Sequence, residues 1–215
     1  MTTVEMAKPI KARRLYFAIK RGIDLGAAGL ALALLSAPLA LIALAVKLDS
    51  RGPVFYRQQR AGKNGKPFSM LKFRSMVPNA EHIGLGYEVA ERDPRITRMG
   101  GWLRNWGVDE LPQLFNVLKG DMTLVGPRAA RLDQIEQFTP EERRRMLISP
   151  GITGWALVNG RNSIPWKRRI ELDLWYLAHQ SLWVDLIILL RTVWVVFIAR
   201  SGRYGPEGVT RDYGA

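Results

Sequence analysis

The sequence predicts an α/β chain of the α+β kind, mostly helical with short strands, in which a membrane-associated helix precedes one polar domain. Two observations carry that prediction. Residues 25–46 form an apolar run without a charged side chain. From Lys47 onward, short β-type runs, turn clusters and helix-start signals follow one another at close spacing. The expected division is a basic lead-in with its apolar helix over 1–47, a cytosolic, interfacial domain over 48–200 and a C-terminal tail over 201–215.

The apolar run is just long enough, at ~1.5 Å per helical residue, to cross ~30 Å of hydrocarbon. Ser36, Ala37 and Pro38 interrupt it midway, where a proline removes a backbone hydrogen bond. Both flanks are basic: Arg13, Arg14, Lys20 and Arg21 before, Lys47, Arg51, Arg57 and Arg60 after. The positive-inside rule then places both ends in the cytoplasm. A re-entrant helix broken near Ser36 and Pro38 satisfies both ends, with Ser36 capping a freed carbonyl. A plain spanning anchor competes with this arrangement. A buried helix of a soluble protein is disfavoured because the run has no polar face. Its length, with no small-residue cleavage site after it, excludes a secretory signal peptide.

The elements after it follow in order. Residues 49–53 are turn chemistry. Residues 54–56 and 68–73 are strands of a hairpin whose tip carries Lys63 and Lys66. Lys72 and Arg74 alternate there and point to one face. Residues 78–92 are polar with two glycines, a mobile connection. Residues 96–106 read as helical or mixed. Thr139-Pro140-Glu141-Glu142 opens a helix, and the triplet Arg143, Arg144 and Arg145 reads as a solvated face. Residues 150–154 and 159–162 are loops. Residues 164–179 mix charge and aromatics. Residues 182–199 are apolar apart from Asp185 and Arg191, which favours an interfacial amphipathic helix with Trp183 and Trp194 near the headgroups, a core helix being the alternative.

Composition bounds the chemistry. The 215 residues carry 32 Lys and Arg against 19 Asp and Glu, a net charge of +13, which implies an anionic partner such as nucleic acid, anionic lipid or a phosphorylated substrate. No helix-turn-helix, zinc-finger or RNA-recognition signature is present, so no nucleic acid is expected. The lack of cysteine excludes disulfides and thiolate chemistry, and two histidines, His82 and His179, exclude a histidine-rich metal site. A hard cation held by carboxylates and phosphates stays open.

The most informative stretch is 102–128. Asp109 and Glu110 stand side by side before Leu111 and Pro112. Asp is a favoured N-cap and proline is welcome in a first helical turn, so the pair is expected at a helix N-terminus, where the dipole favours anions. Two acids there, in so basic a chain, point to phosphoryl chemistry. An N-cap followed by a first-turn acid, with no chemistry, is the plain alternative.

The chain resembles the bacterial sugar transferases, the small monotopic phosphoglycosyl transferases that begin glycan assembly on a polyprenol carrier. The matching pieces run in order. They are Lys20-Arg21 with Asp24, the interrupted apolar helix, Lys47-Leu48-Asp49-Ser50, Gly52-Pro53-Val54-Phe55, Lys72-Phe73-Arg74-Ser75-Met76 and Asp93-Pro94-Arg95-Ile96-Thr97. Asp109-Glu110-Leu111-Pro112-Gln113-Leu114, Asn116-Val117-Leu118-Lys119-Gly120-Asp121-Met122, Val125-Gly126-Pro127-Arg128, Pro150-Gly151-Ile152-Thr153-Gly154 and Asn159-Gly160-Arg161 complete the series. Each is weak alone; together, in this order, they are specific.

The resemblance implies transfer of a phosphosugar from a UDP-sugar to undecaprenyl phosphate with release of UMP, an early step of polysaccharide, exopolysaccharide or O-antigen assembly. It implies Mg2+ and a ping-pong route through a covalent phosphosugar on Asp109, with Glu110 as the metal ligand. Arg104, Arg128 and Arg161 match family arginines of the active site and Lys72 a family lysine near it; Arg74 and Asp93 are carried over as further substrate-binding residues. It implies a monotopic protein of the bacterial inner membrane, active on the cytoplasmic face against an anionic lipid bilayer, and is compatible with a homodimer. The rival class is a non-catalytic membrane-associated binder of anionic lipid or glycan precursor. Three positions depart from the family pattern: Ala37 separates Ser36 from Pro38, and Ala129 and Leu157 stand where relatives often carry Pro and Gln.

Overall fold

The computed structural model of the protein describes residues 14–90 and 92–199. The lead-in up to Arg13 and the tail expected over 201–215 lie outside the described residues. Helix α1 (Arg14–Asp49) runs for 36 residues, rich in the Leu and Ala that favour helix. The expected break does not end it: Pro38 lies inside one continuous helix. Proline lacks the N–H that the Leu34 carbonyl would accept, and Ser36, expected to cap that freed carbonyl, donates to the Ala33 carbonyl at 2.9 Å and not to Leu34. The helix is held by packing on both sides of the proline. Ala28, Ala31 and Leu32 join one core cluster before it, and Leu39, Ile42 and Val46 another after it.

One face of α1 docks along its length on the rest of the protein. Tyr16, Lys20, Asp24, Ala28, Leu32, Leu39 and Val46, spaced by four and seven, supply that face. Leu15, Ile19, Ile23, Leu30, Leu34, Leu41, Leu44 and Leu48 are exposed. The docked face carries buried charge. Lys20 donates to Asp185 at 2.9 Å, and Asp185 also accepts from Tyr16 at 2.9 Å and from Tyr176 at 2.6 Å. Among the described residues, α1 is the one helix long and apolar enough to cross a membrane.

Strands β1 (Phe55–Ala61) and β2 (Pro67–Phe73) form the expected hairpin, antiparallel with Tyr56 opposite Lys72. Its tip is a 3-10 turn at Lys63–Gly65. Helix α2 (Arg98–Trp106) starts on Thr97, whose hydroxyl accepts from the Gly100 amide. A side chain at Gly100 would put its Cβ 2.0 Å from the Ser75 carbonyl oxygen, so glycine there lets α2 lie directly on the segment after β2. Helix α3 (Gln113–Lys119) follows. Its Asn116 fills the free edge of β2, accepting from the Leu71 amide at 3.0 Å and donating to the Ser69 carbonyl at 2.8 Å.

Strands β3 (Thr123–Val125) and β4 (Gly151–Thr153) pair in parallel, where the sequence read 150–154 as a loop. A Cβ on Gly126 would meet the Ser149 carbonyl oxygen at 2.7 Å, so glycine permits the approach. The short helices α4 (Leu132–Ile135), α5 (Pro140–Arg143) and α6 (Trp155–Val158) cover this region, with a Thr139–Glu142 capping box opening α5 as expected. Helices α7 (Trp166–His179) and α8 (Leu182–Val193) close the chain, α8 continuing as a π turn over Trp194–Ala199. Trp183 and Trp194 are exposed, while Asp185 is buried against Lys20.

Removing Asp185 leaves a buried ammonium and two tyrosine hydroxyls without their acceptor. Asp185→Ala is expected to destabilise the protein by about 3–5 kcal/mol, read as a lowered thermal unfolding midpoint in detergent. A midpoint within a degree of wild type would show that the pair does not hold α1 down.

Candidate active site

A cavity of about 220 Å³ opens between the hairpin, the Asp109–Glu110 turn, residues 128–131 and the Arg161 turn. Eight Lys and Arg side chains line it against three carboxylates, Glu81, Asp109 and Glu110. Such a surplus, focused in a concave site, is suited to a polyanion.

The acids do not stand where the sequence placed them. Gly107, at φ +66, ends α2 in the left-handed region, and a 3-10 turn, Val108–Glu110, follows. Asp109 caps no helix: α3 begins after Pro112 and is only seven residues long. The positive field at the pair therefore comes from side chains and not from a helix dipole. Glu110 Oε1 accepts from Lys72 Nζ at 2.8 Å and from Arg128 Nη2 at 3.2 Å. Among the described residues nothing hydrogen-bonds the Asp109 carboxylate, although Asp109 is buried.

These surroundings drive the two carboxyls apart. Burial, reinforced by the neighbouring Glu110 charge, raises Asp109 above the ordinary carboxylate range against the opposing pull of Lys72, Arg104 and Arg161. Burial also opposes ionisation of Glu110, but Lys72, Arg128 and Arg161 together outweigh it and hold Glu110 well below that range. Burial in turn lowers Lys72, with Glu110 resisting. The result is one firmly ionised, doubly bonded carboxylate beside one that is more basic and unengaged, a division of roles set by environment.

Of the residues the sequence singled out, Lys72, Arg74, Arg104, Asp109, Glu110, Arg128 and Arg161 all line the cavity. Arg74 also has a second duty: its Nη2 donates to the Val46 and Ser50 carbonyls at 3.0 and 2.7 Å, tying the end of α1 to the end of β2. Arg161 sits at φ +51, a conformation uncommon outside glycine.

Asp93 does not line the cavity. It holds Arg95, accepting from Nη2 at 2.6 Å and Nε at 2.9 Å. Arg95 in turn donates to the carbonyls of Ala80, Ile83, Gly86 and Glu88. The connection expected to be mobile is thus pinned at four carbonyls. It brings Glu81 and Tyr87 to the cavity wall, Tyr87 against the Arg131 guanidinium at 4.2 Å.

The sequence reading also missed Asn116, whose signal was an amide in the midst of an apolar helix, and Arg145. Arg145 is not on a solvated face but 2% exposed, paired with Asp173 and donating to the Arg128 carbonyl at 3.0 Å.

A cavity of this charge, with an unengaged carboxylate beside an ion-paired one, has the chemistry to receive a phosphorylated compound. The model of the family described as "Bacterial sugar transferase" matches residues 15–199. The chain is 42% identical over 183 residues to the "uncharacterized sugar transferase EpsL" of Bacillus subtilis, covering 85% of this chain and 89% of that one. It is 43% identical to the undecaprenyl-phosphate glucose phosphotransferase of Komagataeibacter xylinus, over 81% of this chain and 35% of the relative. A UDP-N-acetylgalactosamine-undecaprenyl-phosphate N-acetylgalactosaminephosphotransferase of Aeromonas hydrophila is 40% identical over 88% of this chain and 46% of its own length. The chain thus spans nearly all of the first relative and less than half of the other two. The protein belongs to the bacterial sugar transferase family.

The Arg95 hydrogen bonds lower Asp93 below the ordinary carboxylate range despite the opposing effect of burial. The depressed folded-state value means that the pair's contribution is present above the unfolded value near 3.8 and fades as pH falls through the lower folded one. Hydrogen exchange over residues 80–88 should therefore stay slow at pH 4 in the wild type and become fast in Asp93→Asn. Equal protection in both proteins would remove the clamp.

Proposed function

We propose that this protein is a phosphoglycosyl transferase that moves a phosphosugar from a UDP-sugar to undecaprenyl phosphate and releases UMP. The observation that carries the reading is the unengaged Asp109 carboxylate beside the ion-paired Glu110 in a cation-lined cavity. Relatives named for transfer onto undecaprenyl phosphate support the substrate class.

In the proposed reaction an Asp109 oxygen attacks the phosphorus that bears the sugar, and the bond from that phosphorus to the UMP oxygen breaks. UMP leaves with the electron pair, and the phosphosugar stays on Asp109. The phosphate oxygen of undecaprenyl phosphate then attacks the same phosphorus and releases the aspartate. Lys72, Arg104, Arg128 and Arg161 neutralise the phosphate oxygens, which is most of what a phosphoryl transfer asks of a protein. The acid pair also fits Mg2+. Both hydrogen bonds to Glu110 fall on Oε1, leaving Oε2 for a hard cation. That suits an ion taking one carboxylate and completing its shell from phosphate and water. When bound it would supply charge neutralisation at the diphosphate.

The membrane arrangement is proposed as monotopic, on the cytoplasmic face of the inner membrane, with α1 re-entrant. What supports it is that both ends of α1 are tied to one domain, Lys20 to Asp185 at one end and Asp49 to the Met99 amide at the other. A helix that crossed the bilayer would carry one end away. α8, with Trp183 and Trp194 exposed, is proposed to lie in the interface.

Asp109→Asn replaces the nucleophile with an amide of the same shape and is expected to reduce UMP release to background. Intact-mass spectrometry of wild type quenched with UDP-sugar alone should find a phosphosugar adduct that the variant lacks. Undiminished turnover by Asp109→Asn would sink the assignment; UMP release with no adduct would sink the covalent route alone.

A further inference from the structure

We infer that the buried Arg145–Asp173 pair is a positioning device for Arg128, fixing the backbone from which that guanidinium reaches Glu110. This rests on the reading of the cavity as a diphosphate site.

Arg145 is 2% exposed and Asp173 1%. An ion pair so deep adds little stability over well-packed hydrocarbon of the same volume, because desolvation offsets the attraction. Its geometry supplies another reason for it. One nitrogen, Arg145 Nη2, both pairs with Asp173 and donates to the carbonyl of Arg128 at 3.0 Å. The other, Nη1, is buried without a hydrogen-bond partner, so the fork is aimed for that one reach and not for its own satisfaction. Phe138 and Trp166 flank the guanidinium at 5.7 and 5.6 Å and restrict its tilt.

The segment it holds needs holding. Residues 127–130 lie outside the named strands and helices, and their four carbonyls are fixed singly. Pro127 accepts from the Gly151 amide, Arg128 from Arg145, Ala129 from Arg60 Nη1 and Ala130 from the Ala61 amide. Only the second of these lies on the residue whose side chain bonds Glu110. Asp173 keeps Arg145 in place among the further cations Arg128 and Arg169, which also face it.

The test is a double-mutant cycle on the 215-residue chain, with inorganic pyrophosphate as probe and calorimetry as readout. Asp173→Asn and Arg128→Ala should each weaken pyrophosphate binding by about tenfold, and the double variant should bind no more weakly than Arg128→Ala alone. Losses that multiply in the double variant overturn the inference. So does a fall in binding stoichiometry at unchanged affinity, the mark of misfolded protein without a positioning effect. Should Asp173→Asn fail to fold, Arg145→Lys, which keeps a cation opposite Asp173, is read in the same cycle by the same criteria. A wild type that binds no pyrophosphate overturns the cavity reading and this inference together. Pyrophosphate binding without UMP release from any UDP-sugar overturns only the proposed reaction.

Discussion

The polar side of α1 is the constraint on which the site depends. Asp24 accepts from the Thr123 hydroxyl at 2.5 Å and the Leu124 amide at 3.1 Å, and so fixes β3, which leads to Arg128. Arg21 donates to the Val117 and Leu118 carbonyls and closes the C-terminus of α3, the helix that follows the acid pair. At the far end, Asp49 accepts from the Met99 amide in the first turn of α2, which carries Arg104. The Val46 carbonyl accepts from Arg74, just past Lys72. The segments around Lys72, Arg104, the acid pair and Arg128 are thus joined to a helix whose other side exposes leucines. The exposed apolar face and the scaffold belong to one element, and displacing it would loosen four walls of the cavity at once.

A second constraint is electrostatic. Cations crowded around a cavity repel one another, and the fold tolerates them by giving several a carboxylate or carbonyl acceptor. Glu110 serves Lys72 and Arg128, Asp173 serves Arg145, and Asp133 holds Arg131 at 2.7 Å. Asp109 stands apart, since no such bond engages it. Glu110, doubly bonded on Oε1 and held ionised, is a weak nucleophile, whereas the unengaged Asp109 keeps its lone pairs available, and burial keeps it basic.

Local features were legible in the sequence. The hairpin follows from two β-type runs around a glycine turn, α5 from its capping box, and the acid pair from two adjacent carboxylates ahead of a proline. What failed were features decided at a distance. Strands of three residues such as β3 and β4 carry no periodicity, and their pairing depends on Gly126 and Gly151 permitting close approach. The arginine triplet reads as a solvated face because nothing nearby reveals that Asp173, 28 residues on, awaits its last member. The resemblance places Asp93 at the substrate, although its partner Arg95 lies two residues away. The motif supplied the residue, but only the four carbonyls converging on Arg95 disclose its task. Pro38 suggested a broken helix because proline removes a hydrogen bond, yet the packing on either side of it holds the helix together.

The two faces of α1 also bear on how a soluble and a lipid substrate could share a single cavity. At ~1.5 Å per residue its 36 residues trace about 54 Å of helix, more than the ~30 Å of a single hydrocarbon crossing. The exposed leucines run from Leu15 to Leu48. A domain gripped along such a helix cannot swing freely away from whatever surface the leucines enter. The height of Asp109 above that surface is then set by the same contacts that shape the cavity. Under the proposed reaction this matters more for the second transfer than for the first. The nucleotide sugar diffuses in from water, whereas the acceptor phosphate is confined to the plane of the headgroups. Holding the intermediate on a side chain at fixed height turns a meeting of two substrates into a meeting of one lipid with a waiting phosphorus.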